Sequence, residues 1–323
     1  MSRTSDWYSR FAQFEAHDES PIYEDWANRV AIDNEILGLL EDLPLAKRQP
    51  NLIFAVSRLL GAPEGAFPQF RRWLLANWPA VRGQASVRMT QTNEPRRCAS
   101  LLPALAGIPG PLALLEVGAS AGLCLYPDRY SYSYDGGEPL HPADGPSTVL
   151  LECETSGGVP VPAALPTVVW RAGIDLQPLA LDSADDMLWL QTLIWPEQQA
   201  RRERLRAARE IAMADPPLLV RGDATDALPA LVAQAPQDAT LVVFHSGTLV
   251  YLSAEDRARF ARTIRSLGTR WISQEGVAVL PDVERELSQD AAQERALFVL
   301  AVDGHPVARV GPHGQRVDWI PAR

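Results

Sequence analysis

Cysteine is scarce in this sequence. Cys98, Cys124 and Cys153 are the only three in 323 residues, too few and too scattered for a disulfide framework or a metal knuckle. All three stand in apolar or strand-like surroundings, so they are expected to be reduced thiols of a cytoplasmic protein. Histidine is hardly commoner, at five, and none is spaced with Cys or acids as a metal site requires. Positive charge is also in deficit, with 30 Lys and Arg against 40 Asp and Glu and a net charge of −10. A nucleic-acid backbone needs a clustered positive field, so this balance argues against nucleic acid as the main partner. A small molecule or a protein is the expected substrate. The one basic run, Arg201 to Arg209, is interleaved with glutamates on a helical pattern and is expected to be a solvated face.

Long apolar runs are missing as well. The longest charge-free stretch, 98–115, contains Pro103, Gly107, Pro109, Gly110 and Pro111. Such breakers fit a helix, a turn and a strand, and not a membrane span. The first eleven residues are polar and aromatic and hold no apolar signal segment. The expectation is a soluble chain without a membrane partner.

What is there divides in two. Up to residue 108 the apolar residues recur at helical spacing, as in Trp7, Phe11 and Phe14, or Trp26, Val30, Ile36, Leu37 and Leu40. This predicts an all-helical N-terminal cap over 1–108. From 109 to 323 short apolar runs alternate with helical patterns. Strands are predicted at 112–117, 168–174, 217–221, 240–244 and 270–273, and helices at 184–193, 196–214, 227–233, 254–267 and 283–295. The alternation implies an α/β fold, a mostly parallel sheet with helices on both faces. Two final runs, 296–302 and 307–320, predict an antiparallel pair closing the sheet. An insertion at 127–166 contains the Tyr130–Tyr134 alternation and a second apolar run at 148–153, and reads as a β-hairpin.

Chemistry concentrates at the predicted strand ends. Glu116-Val117-Gly118-Ala119-Ser120-Ala121-Gly122 ends the first strand in a turn on two glycines. A ligand can approach such a backbone because no Cβ blocks it, and the carboxylate can take an ammonium group or order a water. Asp175, followed by Leu176, ends the next strand, where a carboxylate can accept both ribose hydroxyls. Asp223, followed by Ala224, ends the third, in reach of an adenine amino group. Open parallel sheets bind ligands in the crevice outside such ends. The bland alternative is that Asp175 and Asp223 are helix caps or turn residues.

In this order the residues resemble class I S-adenosylmethionine-dependent methyltransferases over roughly 110–320. More narrowly, the chain resembles a bacterial family of unassigned function. That likeness is carried by Gln91-Thr92-Asn93-Glu94, Glu116 to Gly122, Gly173 to Pro178, Trp195-Pro196-Glu197-Gln198 and His245-Ser246-Gly247. The resemblance implies a Rossmann-like methyltransferase sheet with S-adenosylmethionine as cofactor. It implies methionine contacts near Glu116, Gly118, Ala119, Ser120 and Gly122, a ribose contact at Asp175 with Leu176, and an adenine contact at Asp223 with Ala224. The insertion lengthens the gap between Glu116 and Asp175, which leaves Asp135 as a rival ribose acid.

His245 follows the fourth strand's apolar run and is the expected general base and cofactor neighbour, or else a histidine bonded to a backbone carbonyl. Gln91, Asn93 and Glu94 are expected to reach the crevice and orient the acceptor, with Glu94 in a catalytic role; the alternative is a helix cap at Thr92 or Asn93. Trp195 is a candidate pocket wall. Three other functions stay open. Gly118-Ala119-Ser120-Ala121-Gly122 also fits the nucleophile elbow of α/β-hydrolases, with Asp282 and His305 completing a triad around Ser120. A nicotinamide-dependent oxidoreductase is disfavoured by the lack of G-x-G-x-x-G. A non-catalytic binder of S-adenosylmethionine fits the same cofactor residues.

Overall fold

Leu112–Val117 forms the buried central strand, β1, because six consecutive residues without an exposed face can be satisfied only between two other strands. Our computed structural model describes residues 2–91, 93–287 and 297–320. Among these, ten strands form one sheet, and the chain divides into two compact units, Met1–Thr92 with Asp182–Glu203, and Asn93–Leu181 with Arg204–Arg323.

The first unit is helical. Its helices are α1 (Arg3–Phe11), α2 (Pro21–Val30), α3 (Asn34–Glu41), α4 (Pro50–Leu59) and α5 (Phe67–Val87), to which a later segment adds α7 (Ala184–Leu193). Their apolar faces meet in an aromatic core. Trp26 stacks on Phe70 with ring centroids 3.9 Å apart, and Phe54 lies edge-on to Tyr8, Phe11, Tyr23, Trp26 and Phe70. Burying each such ring contributes about 1.5–3 kcal/mol. Trp195, the expected pocket wall, is part of this core: it packs on Phe11 and Tyr23, and its indole N–H donates to Asn51 at 2.9 Å. Glu197, two residues on, accepts from the Ser20 hydroxyl (2.6 Å) and the Ile22 amide (3.0 Å) at the start of α2. The Trp-Pro-Glu-Gln segment is thus tied into the aromatic core by Trp195 and caps α2 through Glu197.

The second unit contains α6 (Arg97–Ala106), β1, β2 (Ser131–Tyr134), β3 (Leu150–Ser156), β4 (Val168–Asp175), β5 (Leu218–Arg221), α9 (Ala224–Val232), β6 (Thr240–Ser246), α10 (Ala254–Ser266), β7 (Arg270–Gly276), α11 (Pro281–Glu284), β8 (Phe298–Val302), β9 (His305–Val310) and β10 (Arg316–Trp319). Helix α8 (Gln199–Ala214) carries the chain into it. The strand order is β2-β3-β10-β9-β8-β7-β6-β1-β4-β5. From β5 to β7 every pair is parallel. One face of this region, with Leu115, Val117, Val243 and Trp271, is packed by Leu228 and Leu231 of α9 and Phe260 and Ile264 of α10. Helix α6 lies on the other face, where the Ser100 hydroxyl bonds Gln274 at 2.8 Å.

Three expectations change. The insertion is not a β-hairpin: β2 and β3 pair in parallel, from Ser131 against Leu150 to Tyr134 against Cys153. The chain returns through a single antiparallel bridge, Tyr132 to Leu140, before β3 begins. The parallel register lets β3 pair with β10 on its free edge, so the insertion extends the sheet. The C-terminal pair is a three-strand meander, β8-β9-β10, antiparallel throughout, with its second turn at Gly311 to Gly314. Of the helix expected at 283–295 only its start falls in α11, and residues 288–296 lie outside the described residues.

Candidate functional site

Strand β1 is flanked by β4 on one side and β6 on the other, so the winding of the parallel region reverses beside it. Such a reversal opens a crevice outside the carboxyl ends of the two diverging strands. The glycine turn enters this position. Gly118 has φ +76°, Ser120 +53° and Gly122 +74°, and the amides of Gly118 and Ala119 both donate to Ile174 O at the end of β4 (2.8 and 3.1 Å). Asp175 completes the attachment. Its Oδ2 accepts from the Ser120 amide and its Oδ1 from the Gln177 amide, both at 2.8 Å. The expected ribose acid therefore staples the glycine turn to β4.

Asp223 follows β5 and caps α9, accepting from the Thr225 amide at 2.9 Å, with its side chain exposed. Leu176 is 58% exposed beside the same rim. Glu116, Asp175 and Asp223 thus stand at or just beyond the carboxyl ends of the neighbouring strands β1, β4 and β5. Asp135 is excluded from that rim, because it follows β2 at the opposite edge of the sheet and accepts from the Thr155 amide at 2.7 Å.

Glu116 is buried, and its Oε2 has no hydrogen-bond partner among the described residues. Burial pushes its pKa well above the usual carboxylate value, the neighbouring Cys124 and Asp175 push the same way, and only Arg97 opposes them. An acceptor held out of water and left open in this way fits an incoming ammonium group, whose charge would favour the ionised carboxylate against the effect of burial. The glycine turn fits less simply, since the Thr248 side chain already lies against Gly118, its hydroxyl donating to Val117 O at 3.2 Å.

His245, the expected general base, is fully buried on the opposite face of the sheet from Glu116. Its Nδ1 meets Glu275 Oε1 at 2.7 Å, and its Nε2 accepts from the Trp271 indole at 3.0 Å. Both ring nitrogens are engaged within the fold. The same Glu275 oxygen accepts the Thr248 and Leu249 amides at 2.9 Å, so the pair sets the loop after β6. Glu94 is also buried. It pairs with Arg204 at 2.8 Å and accepts the Arg96 amide at 3.0 Å, which makes it an anchor for the start of α6. Asn93 does reach the glycine turn, donating to Ala119 O and accepting from Leu123 N, both at 3.2 Å. Gln91 belongs to the helical unit, and Thr92 lies outside the described residues.

The hydrolase triad is not assembled. His305 pairs with Glu286 at 3.0 Å, Asp282 pairs with Arg265 at 3.3 Å and with Arg285, and the Ser120 hydroxyl has no partner among the described residues. Sequence reasoning missed Arg97, Gln274, Glu275 and Thr248. For Gln274 and Glu275 a signal existed: both extend the apolar run of β7, as Glu116 does that of β1. At the amino end of the sheet a cavity of about 730 Å³ is lined by Gly110, Pro160, Pro162, Arg270 and Trp319, among others, away from these acids. Among the described residues no helix is long and apolar enough to cross a membrane, and no group of three or more His, Cys, Asp or Glu could hold a metal ion.

A family model described as an uncharacterized protein conserved in bacteria (DUF2332) matches residues 5–319. No curated protein and no solved structure matches the chain.

Proposed function

We propose that this chain, which belongs to that bacterial family, binds S-adenosylmethionine at the carboxyl ends of β1, β4 and β5 and is a methyltransferase for a small-molecule or protein acceptor. One observation carries the reading. A glycine turn follows the central strand where the winding reverses, and three acidic residues stand side by side on the neighbouring ends. In this assignment Glu116 takes the ammonium group of the cofactor, Asp175 a ribose hydroxyl and Asp223 the adenine amine. The backbone from Gly118 to Gly122 lies under the thioether end, and the cofactor supplies an electrophilic methyl group. The chain contributes position and exclusion of water, which together account for much of the rate in such transfers.

A second reading, a binder of S-adenosylmethionine that does not transfer the methyl, is favoured by His245. With both nitrogens engaged it is not poised to take an acceptor's proton. Calorimetric titration with S-adenosylmethionine, S-adenosylhomocysteine and NAD tests the cofactor: the two adenosyl compounds are expected to bind and NAD is not. Binding of NAD alone overturns the assignment. Release of S-adenosylhomocysteine in the presence of cell extract then separates transferase from binder, and a fluorophosphonate label on Ser120 would instead establish the hydrolase.

A further inference from the structure

Arg97, the first residue of α6, is 7% exposed. Its Nε donates to Pro312 O at 2.9 Å and its Nη1 to Ser246 O at 2.7 Å. Among the described residues no carboxylate forms an ion pair with it. A guanidinium keeps its charge at any working pH, and a cation this withdrawn from water is ordinarily matched by an anion. Here two carbonyl dipoles hold it and its charge is left over. The nearby carboxylate that feels it, Glu116, is itself biased by burial toward the neutral form.

The polar atoms around Arg97 are unmatched too. Gln274 is fully buried; its Oε1 accepts from Ser100, while its Nε2 has no partner among the described residues. The Ser246 hydroxyl and Glu116 Oε2 are in the same condition. These groups share one face of the sheet. Ser246 stands opposite Gln274 in the β6–β7 register, and Glu116 stands opposite Phe244, two residues before Ser246. Gly247 has φ +64°, and a Cβ there would come within 3.3 Å of Arg97 Nη2. The bare backbone lets the guanidinium lie against the loop.

The cluster offers a cation, an amide N–H and a hydroxyl to an anion, and beside them Glu116, a carboxyl that an entering ammonium group would hold in its ionised form. A phosphate would leave the open oxygen of Glu116 without a cation, whereas the ammonium of a zwitterion favours the ionised carboxylate, so that both ends are satisfied at once. We infer that Arg97, Gln274, Ser246 and Glu116 form a subsite for the α-amino-acid end of a ligand, its carboxylate on Arg97, Gln274 and Ser246 and its ammonium on Glu116. This rests on reading the same crevice as an S-adenosylmethionine site, and it adds the side chains that discriminate the amino-acid end from a bare nucleoside.

The test is calorimetric titration of the wild-type chain with S-adenosylhomocysteine, with methylthioadenosine, which keeps the nucleoside and thioether but lacks the amino-acid end, and with L-homocysteine. S-adenosylhomocysteine is expected to bind about a hundredfold more tightly than methylthioadenosine, the equivalent of two charge-assisted contacts. Ser246→Ala and Gln274→Met should each weaken S-adenosylhomocysteine about fivefold to tenfold and leave methylthioadenosine unchanged. Equal affinity for the two nucleosides overturns the subsite and leaves the cofactor assignment standing. Binding of L-homocysteine without either nucleoside keeps the subsite and removes the cofactor assignment. Binding of none of the three overturns both. The wild-type comparison decides the matter even where a variant fails to fold.

Discussion

Thr248 lies across the turn at Gly118. A Cβ built on Gly118 would fall inside the Thr248 side chain, whose hydroxyl donates to Val117 O at 3.2 Å. Gly118 also has φ +76°, where an L side chain is strained by roughly 1–2 kcal/mol. Gly118→Ala should therefore destabilise the fold through both strain and collision. Only the collision depends on Thr248. In a double-mutant cycle with Thr248→Gly, urea denaturation should return a favourable coupling of about 0.5–3 kcal/mol. Strict additivity would mean that Thr248 yields at no cost and does not define the turn.

Glu116 makes stability depend on pH in a direction opposite to an ordinary surface acid. Its folded-state pKa is raised above 4.5, first by burial and then by Cys124 and Asp175. The native state thus holds a proton that the unfolded chain releases. The associated stability is present below pH 4.5 and is lost as pH rises toward the folded-state value. Glu116→Gln removes this titration. Relative to wild type, the variant should gain up to about 1.4 kcal/mol per pH unit across that window, read from urea midpoints between pH 5 and 8. A constant difference between the two proteins over that range would show that Glu116 is ionised throughout.

The reach of the sequence can be judged from particular residues. Strand β1 was legible because an uninterrupted apolar run ending in glycines has few other solutions, and the acids at 116, 175 and 223 were placed by the same grammar. The pairing of β2 with β3 was not, since period-two alternation is the same in parallel and antiparallel strands and the stabilising neighbour, β10, lies at the far end of the chain. Glu197 capping α2 from about 175 positions away is invisible to any local window. Arg97 was hidden because a cation at the start of an apolar helix is a local oddity, and its significance appears only when β6 and β7 are laid beneath it.

His245 should behave as a structural residue. Removing its ring in His245→Ala leaves the Trp271 indole N–H without its partner and takes from Glu275 one of three donors. Two buried hydrogen bonds and a cavity cost about 2–5 kcal/mol, measurable by thermal or urea denaturation. The affinity of the folded fraction for S-adenosylhomocysteine should change less than about threefold, below 1 kcal/mol. A variant as stable as wild type but inactive in methyl transfer would instead restore His245 to the chemistry.

The three acids 135, 175 and 223 differ in what each carboxylate already holds, and this ranks their substitutions. Asp135→Ala removes the bond to the Thr155 amide at the distant edge of the sheet, so ligand affinity should not move. Asp223→Ala removes an exposed N-cap, which costs about 0.5–2 kcal/mol of stability. It should also weaken S-adenosylhomocysteine by roughly the worth of one solvent-accessible hydrogen bond, about 0.5–1.5 kcal/mol. Asp175→Ala should be the most severe, because the Ser120 and Gln177 amides lose their acceptor and the glycine turn loses its attachment to β4. Asp175→Asn separates the two roles. An amide oxygen can still accept one of those N–H groups but cannot serve both as the carboxylate does, so the loop should be partly retained while a ribose hydroxyl loses its charged acceptor. Titration with S-adenosylhomocysteine alongside melting of each variant gives the ranking. An Asp175→Asn protein with wild-type affinity and lowered stability would confine Asp175 to the staple and remove it from the ligand.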